Sequence, residues 1–247
     1  MPISPNQGPV SGNTPVTITG VNLGNALSVH FGEELAIITA NTPTSVTVVN
    51  PAGNGVVNVT VTTGGGTSNP LSFFYIPPPI VTSIDPDSGS VAGGNTVTIN
   101  GFNLSTAISV DFGGNTATPT VLSDSQLQIV VPAGVGAGSV PVTITTIGGV
   151  AGGLAYNYFD SPTIVSLTPT SGSVNGGTSV TITGTNFATT TSVTFGGVAA
   201  SFGVVNSTTL VAITPPGTAG SVDVIVTTSS GSATAVAAYT YVAAPGI

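Results

Sequence analysis

Apolar and polar positions alternate along most of this chain with a period of two. In Val16-Thr17-Ile18-Thr19 the valine and isoleucine fall on one side and the threonines on the other, the pattern of a half-buried strand. Val56–Thr63 and residues 139–146 and 221–228 read the same way. About seven such runs, separated by Gly, Pro or Asn turns, occur in each of three successive stretches, and no window sustains a helical period. Seven short strands in roughly 80 residues predict a two-sheet β-sandwich, so the fold class is all-β.

The three stretches are copies of one another. Ile3-Ser4-Pro5, Ile84-Asp85-Pro86 and Leu167-Thr168-Pro169 align, as do the strands beginning at Val16, Val97 and Val180, each ending in Gly20, Gly101 or Gly184. Val29-His30-Phe31-Gly32, Val110-Asp111-Phe112-Gly113 and Val193-Thr194-Phe195-Gly196 follow. Pro51, Pro132 and Pro215, then Tyr75, Tyr158 and Tyr241, complete the series. Domains are therefore expected at residues 1–76, 77–159 and 160–242, with 243–247 opening a following linker or strand. Gly20, Gly101 and Gly184 share the exit from the Val-Thr-Ile strand, where a positive φ would require glycine.

These residues resemble the IPT/TIG domains. The second copy carries the family pattern as Pro79, Ser83-Ile84-Asp85-Pro86, Ser88-Gly89, Gly93-Gly94, Val97-Thr98-Ile99 and Gly101-Phe102-Asn103-Leu104. The third has Pro162, Ser166-Leu167-Thr168-Pro169, Ser171-Gly172, Gly176-Gly177 and Gly184-Thr185-Asn186-Phe187. The first departs from it, with Gly12-Asn13 in place of the Gly-Gly pair before Gly20-Val21-Asn22-Leu23. The resemblance spans essentially the whole chain and implies three tandem immunoglobulin-like β-sandwiches. It does not specify function, because such domains occur in surface receptors, DNA-binding transcription factors, starch-active enzymes and microbial surface or virion proteins.

Composition narrows that range. The chain has no Lys or Arg, no Cys, no Trp, one His and eight acids, for a formal charge of −8. So few charges would suggest disorder, but 40% of residues are apolar and the mean hydropathy is +0.52, enough for a core. Neutralising phosphate needs Lys or Arg, which excludes nucleic acid and anionic membrane surfaces as partners. The basic loops of the DNA-binding branch are missing as well. Gly, Pro, Thr and Ser interrupt the uncharged stretch between Asp160 and Asp223, so no membrane insertion is expected. Met1-Pro2-Ile3-Ser4 shows neither a basic segment nor an apolar run, and predicts no signal peptide.

Candidate chemistry is sparse. His30 lies between inward-facing Val29 and Phe31, should face solvent, and has Asp111 and Thr194 as counterparts, so no general base with a positioned partner is expected. Asp85 and Asp87 beside one linker and Asp160 in the next suggest interdomain calcium. However, the third copy puts Thr168 and Thr170 where the first two acids stand, and a hard cation needs several converging oxygens. Glu33-Glu34 reads as a solvated loop tip, and Gly64-Gly65-Gly66 as a hairpin without the lysine of a phosphate loop. Asn58, Asn103 and Asn206 open short glycosylation sequons. No catalytic residue, cofactor or metal ligand is therefore expected.

The sequence reads as a non-catalytic structural segment of an extracellular filament, stalk, lattice or virion appendage, self-associating head to tail or laterally. The alternative is an adhesive or surface-glycan-binding module, or an accessory segment of a larger modular enzyme. An extracellular or cell-surface location is expected, with the virion surface as the alternative. Met1 aligns with Thr82 and Val165, and Ile247 with Val81 and Ile164. Joining the end to the start restores a first strand, so Ile247 of one copy is expected close to Met1 of the next.

Overall fold

A computed structural model describes residues 2–245. The expected contact between Met1 and Ile247 falls outside the described residues. The chain forms two compact units, one of Met1–Pro86, Thr96–Val130 and Pro141–Tyr156, the other of Asp87–Asn95, Val131–Val140 and Asn157–Ile247.

The first repeat contains β1 (Ile3–Ser4), β2 (Gln7–Pro9), β3 (Pro15–Thr19), β4 (Ser28–Phe31), β5 (Glu34–Leu35), β6 (Ile37–Asn41), β7 (Ser45–Val49), β8 (Val56–Thr63), β9 (Gly66–Thr67) and β10 (Leu71–Ile76). One sheet has the order β1-β3-β7-β6 and the other β2-β10-β8-β4-β5, with β9 on β8. Valine and isoleucine at alternate positions of β3, β4, β7 and β8 point into the core, where Val16, Ile18, Val29, Val46 and Val48 are wholly buried. Phe31, Phe73 and Tyr75 continue it as a chain of edge-to-face rings with centroids 5.0 and 5.1 Å apart.

The second repeat contains β11 (Ile80–Asp85), β12 (Ser88–Ser90), β13 (Thr96–Phe102), β14 (Ala107–Phe112), β15 (Asn115–Ala117), β16 (Thr120–Ser123), β17 (Gln126–Val130), β18 (Gly138–Thr146) and β19 (Gly149–Phe159). Its sheet orders are β11-β13-β17-β16 and β12-β19-β18-β14-β15. The third contains β20 (Thr163–Thr168), β21 (Ser171–Ser173), β22 (Ser179–Thr185), β23 (Thr190–Phe195), β24 (Val198–Ala199), β25 (Ser201–Asn206), β26 (Thr209–Ile213), β27 (Gly220–Thr228) and β28 (Gly231–Val242). Its orders, β20-β22-β26-β25 and β21-β28-β27-β23-β24, repeat the same plan. Phe195, Tyr239 and Tyr241 reproduce the aromatic chain with centroids 5.1 and 5.2 Å apart.

Among the described residues, nine or ten strands per repeat replace the seven or so expected, for two reasons. The first strand is divided: β1 pairs antiparallel with β3 in one sheet, whereas β2 pairs parallel with β10 in the other. A cis peptide precedes Pro5, Pro86 and Pro169 at that division. The short returns β5, β15 and β24 hold two or three residues each, too few for alternation to reveal.

Candidate functional site

The residues with recognisable chemistry do not converge. His30 is half-buried on β4 opposite Leu35 and Thr60, and Asp111 and Thr194 occupy its place on β14 and β23. The Asp111 carboxylate accepts the Gly114 N–H at 3.0 Å, which caps a turn. Glu33 and Glu34 are exposed where β4 returns into β5. Gly64 and Gly65 turn β8 into β9, with Thr63 opposite Gly66. Asp85 ends β11, and no group of three or more His, Asp or Glu suited to a metal occurs among the described residues. Ser105 donates to the Asp124 carboxylate and holds its pKa below the ordinary carboxylate range. Of the sequon asparagines, Asn58 is exposed, Asn206 accepts the Thr208 N–H at 2.9 Å, and Asn103 bonds elsewhere.

A joint built twice from uncharged residues holds the linkers. Its first arm is the exit from β13 and β22. Gly101 and Gly184 are buried because the first strand crosses directly over them. A Cβ at Gly101 would collide with the Ile80 carbonyl, and one at Gly184 with the Thr163 carbonyl and the Phe187 ring. Neither glycine has a positive φ, so close approach of the backbone requires them, contrary to the conformational explanation. The left-handed conformation falls two residues later, on Asn103 (φ 59°) and Asn186 (φ 61°). From there the side-chain amides donate to linker carbonyls, Asn103 Nδ2 to Pro78 O at 2.9 Å and Asn186 Nδ2 to Ser161 O at 3.0 Å.

The second arm is a hairpin tip. Thr146 Oγ1 accepts the Gly148 N–H at 3.1 Å and donates to Gly149 O at 3.3 Å. Thr228 Oγ1 likewise accepts the Ser230 N–H at 3.3 Å and donates to Gly231 O at 3.1 Å. Both tips press on a linker. A Cβ on Gly148 would meet the Pro77 carbonyl. In the third repeat a serine fits, because Ser230 Oγ donates to Asp160 O at 2.9 Å and Ser161 Oγ donates to Ser230 O at 3.1 Å. Ser161 Oγ also lies 3.4 Å from Ser90 Oγ, so this linker is bonded to groups on both of its sides. Each linker is thus held between an asparagine amide and a threonine-capped hairpin.

The IPT/TIG domain model matches residues 1–75, 79–160 and 162–242. The chain belongs to the IPT/TIG family. Its three tandem domains coincide with the three sheet pairs. Similar solved structures include the plexin A4 full extracellular region, at 22% identity and a TM-score of 0.48 over 87% of this chain and 20% of that one. Another is the Bacteroides ovatus mixed-linkage glucan utilization locus protein SGBP-B in complex with mixed-linkage heptasaccharide, at 18% and 0.30 over 96% and 66%. A third is the Escherichia coli adhesin FdeC, at 15% and 0.37 over 98% and 96%. The chain spans 20% and 33% of the two plexin A4 chains it matches.

In these IPT/TIG domains the joint uses residues that a search for chemistry passes over. Asn103 and Asn186 were visible as family landmarks, but their bonds to the linkers were not. The Thr-x-x-Gly spacing at 63–66, 146–149 and 228–231 was the available signal for the hairpin arm.

Proposed function

We propose that this chain is a non-catalytic spacer in an extracellular or cell-surface protein, in which IPT/TIG domains follow one another through held linkers. The observation that carries this reading is the double grip on the second linker. Asn186 and Ser230 bond the carbonyls of Ser161 and Asp160, while Ser161 reaches back to Ser230. A spacer needs fixed connections more than it needs a cleft, and here the polar side chains serve the connection. Limited digestion with proteinase K tests the reading. The native chain is expected to resist cutting at residues 159–163, and Asn186→Ala with Ser230→Ala to be cut there about thirtyfold faster, two hydrogen bonds being worth roughly 1 kcal/mol each. Equal cutting of both proteins overturns it.

Glycan binding is the second reading, and the exposed phenylalanines favour it. Phe74, Phe102 and Phe159 are 40%, 58% and 46% exposed. Flat exposed rings suit the apolar faces of a sugar. All five tyrosines, by contrast, are buried in the cores. Affinity electrophoresis against soluble β-glucans, xyloglucans and mannans decides the point. Retardation that Phe102→Ala abolishes would establish glycan binding, and unretarded migration on every gel leaves the spacer role.

A further inference from the structure

We infer that Asn54–Gly55, in the loop between β7 and β8, is a site of spontaneous covalent modification, at which the asparagine converts in water to isoaspartate and aspartate. The dipeptide Asn-Gly occurs three times, at 54–55, 100–101 and 175–176. Asparagine is a labile side chain, and the reaction begins when the amide nitrogen of the next residue attacks its Cγ. Glycine favours that attack because it has no Cβ to crowd the ring being formed. The sequence therefore ranks the three pairs alike, and the fold separates them.

In two of the pairs the attacking nitrogen is engaged. Gly101 is buried in β13, donates its N–H to Ser125 O at 3.0 Å and has the Ile80 carbonyl packed over it. The Asn100 amide is fixed as well, with Oδ1 accepting from Gln126 Nε2 at 3.1 Å and Nδ2 donating to Ser83 Oγ at 3.0 Å. Gly176 donates to Ser173 O at 3.0 Å, and a Cβ on it would lie 2.6 Å from the backbone of Pro215. Attack at either pair has to wait for a local opening, as hydrogen exchange does at the same N–H groups.

The third pair is open. Asn54 and Gly55 are both exposed, and among the described residues neither the Asn54 amide nor the Gly55 N–H has a hydrogen-bond partner. A Cβ on Gly55 would meet nothing within 4 Å, so there is room for the ring and for water to reach it. The flanking backbone is held: Gly53 N–H donates to Val10 O at 2.9 Å, and Gly55 O accepts the Tyr75 N–H at 2.8 Å.

The Gly55 nitrogen gives up its proton to solvent and bonds to Asn54 Cγ. The Cγ–Nδ2 bond breaks, ammonia leaves, and a five-membered succinimide remains. Water then opens the ring. Addition at Cγ yields aspartate, and addition at the Asn54 backbone carbonyl carbon yields isoaspartate, whose main chain runs through Cβ and Cγ. Isoaspartate thus inserts one extra backbone atom between the Gly53 and Gly55 anchors, directly beneath the Tyr75 ring that covers Gly53. Either product adds a carboxylate to a chain with no Lys or Arg to pair with it. Conversion therefore loosens the wrap of this loop around Tyr75.

Peptide mapping tests the inference on the intact chain. Native protein and a guanidinium-unfolded sample are incubated at pH 8.5 and 37 °C, then digested with pepsin, and each Asn-Gly peptide is read by mass and for isoaspartate. Unfolded, the three pairs are expected to convert at similar rates. In the native chain Asn100 and Asn175 are expected to fall at least about fivefold behind Asn54, the effect of having to open one hydrogen bond. Asn54→Gln is expected to remove the product at 54 and leave the other two peptides unchanged. Conversion at 54 no faster than at 175 in the native chain overturns the site. Aged native chain is expected to melt below Asn54→Gln aged beside it, and equal melting temperatures overturn the loosening of the loop.

Discussion

The first repeat replaces the Gly-Gly pair with Gly12-Asn13, and the backbone explains why this works. Gly12, Gly93 and Gly176 have φ of 74°, 68° and 75°, and a Cβ on any of them would lie 2.5 to 2.6 Å from proline backbone. The second position is also left-handed, at 63° for Asn13, 88° for Gly94 and 82° for Gly177, but Gly94 and Gly177 face open space. Asparagine is the side chain that best tolerates this conformation, so only the second glycine can be exchanged. Gly94→Asn is expected to change stability by less than about 1 kcal/mol, and Gly93→Ala to cost about 2 kcal/mol or more, both read from urea denaturation. The same contrast applies at the strand exit. Gly101→Ala drives a Cβ into the Ile80 carbonyl and is expected to cost about 1–3 kcal/mol. Thr17→Ala loses one half-buried hydroxyl contact with Thr47 and is expected to cost under about 1 kcal/mol. Similar losses from Gly101→Ala and Thr17→Ala would show that steric crowding does not account for Gly101. The sequence made the landmark glycines visible, but φ and backbone approach are three-dimensional quantities, so their reason was not legible.

At the level of strands, the alternation located the core faces, and β8 runs over the expected Val56–Thr63. Pro and Tyr landmarks also aligned in every repeat, yet nothing in the alignment joined them. Tyr75, Tyr158 and Tyr241, near the ends of β10, β19 and β28, donate their hydroxyls to Pro51 O, Pro132 O and Pro215 O at 2.7, 2.8 and 2.7 Å. Their rings cover Gly53, Gly134 and Gly217, where a Cβ would press on the aromatic carbons. Burial pushes the phenols of Tyr75 and Tyr241 above their ordinary pKa. An unfolded chain loses these protons near pH 10, whereas the folded chain retains them to higher pH. Their contribution is therefore full below about pH 10 and is lost as pH rises through the raised folded values. Tyr241→Phe is expected to lower stability by about 1 kcal/mol at pH 7. Thermal melts from pH 8 to 11 should nevertheless fall less steeply for Tyr241→Phe than for the native chain. Parallel curves would contradict the assignment.

For the whole molecule, repeat and fold were legible because backbone-directed residues recur at fixed offsets, whereas the joint was not. Its bonds run from amides and hydroxyls to main-chain carbonyls, atoms that every residue possesses and that carry no mark in a sequence. Charge, on the other hand, is fully readable. With no Lys or Arg, the eight acids have no cationic side chain to pair with except His30, so electrostatics act on the folded state mainly as mutual repulsion. Salt screens that repulsion over about 8–10 Å at physiological strength and has few attractive pairs to weaken. Raising sodium chloride from about 10 to 200 mM at pH 7 should leave the melting temperature unchanged or raise it by a few degrees. Most domains of mixed charge have ion pairs that the same change would weaken. A fall of several degrees would mean that attraction involving His30 or the chain's amino terminus outweighs the repulsion among the acids, and would return His30 to consideration as a bonded group.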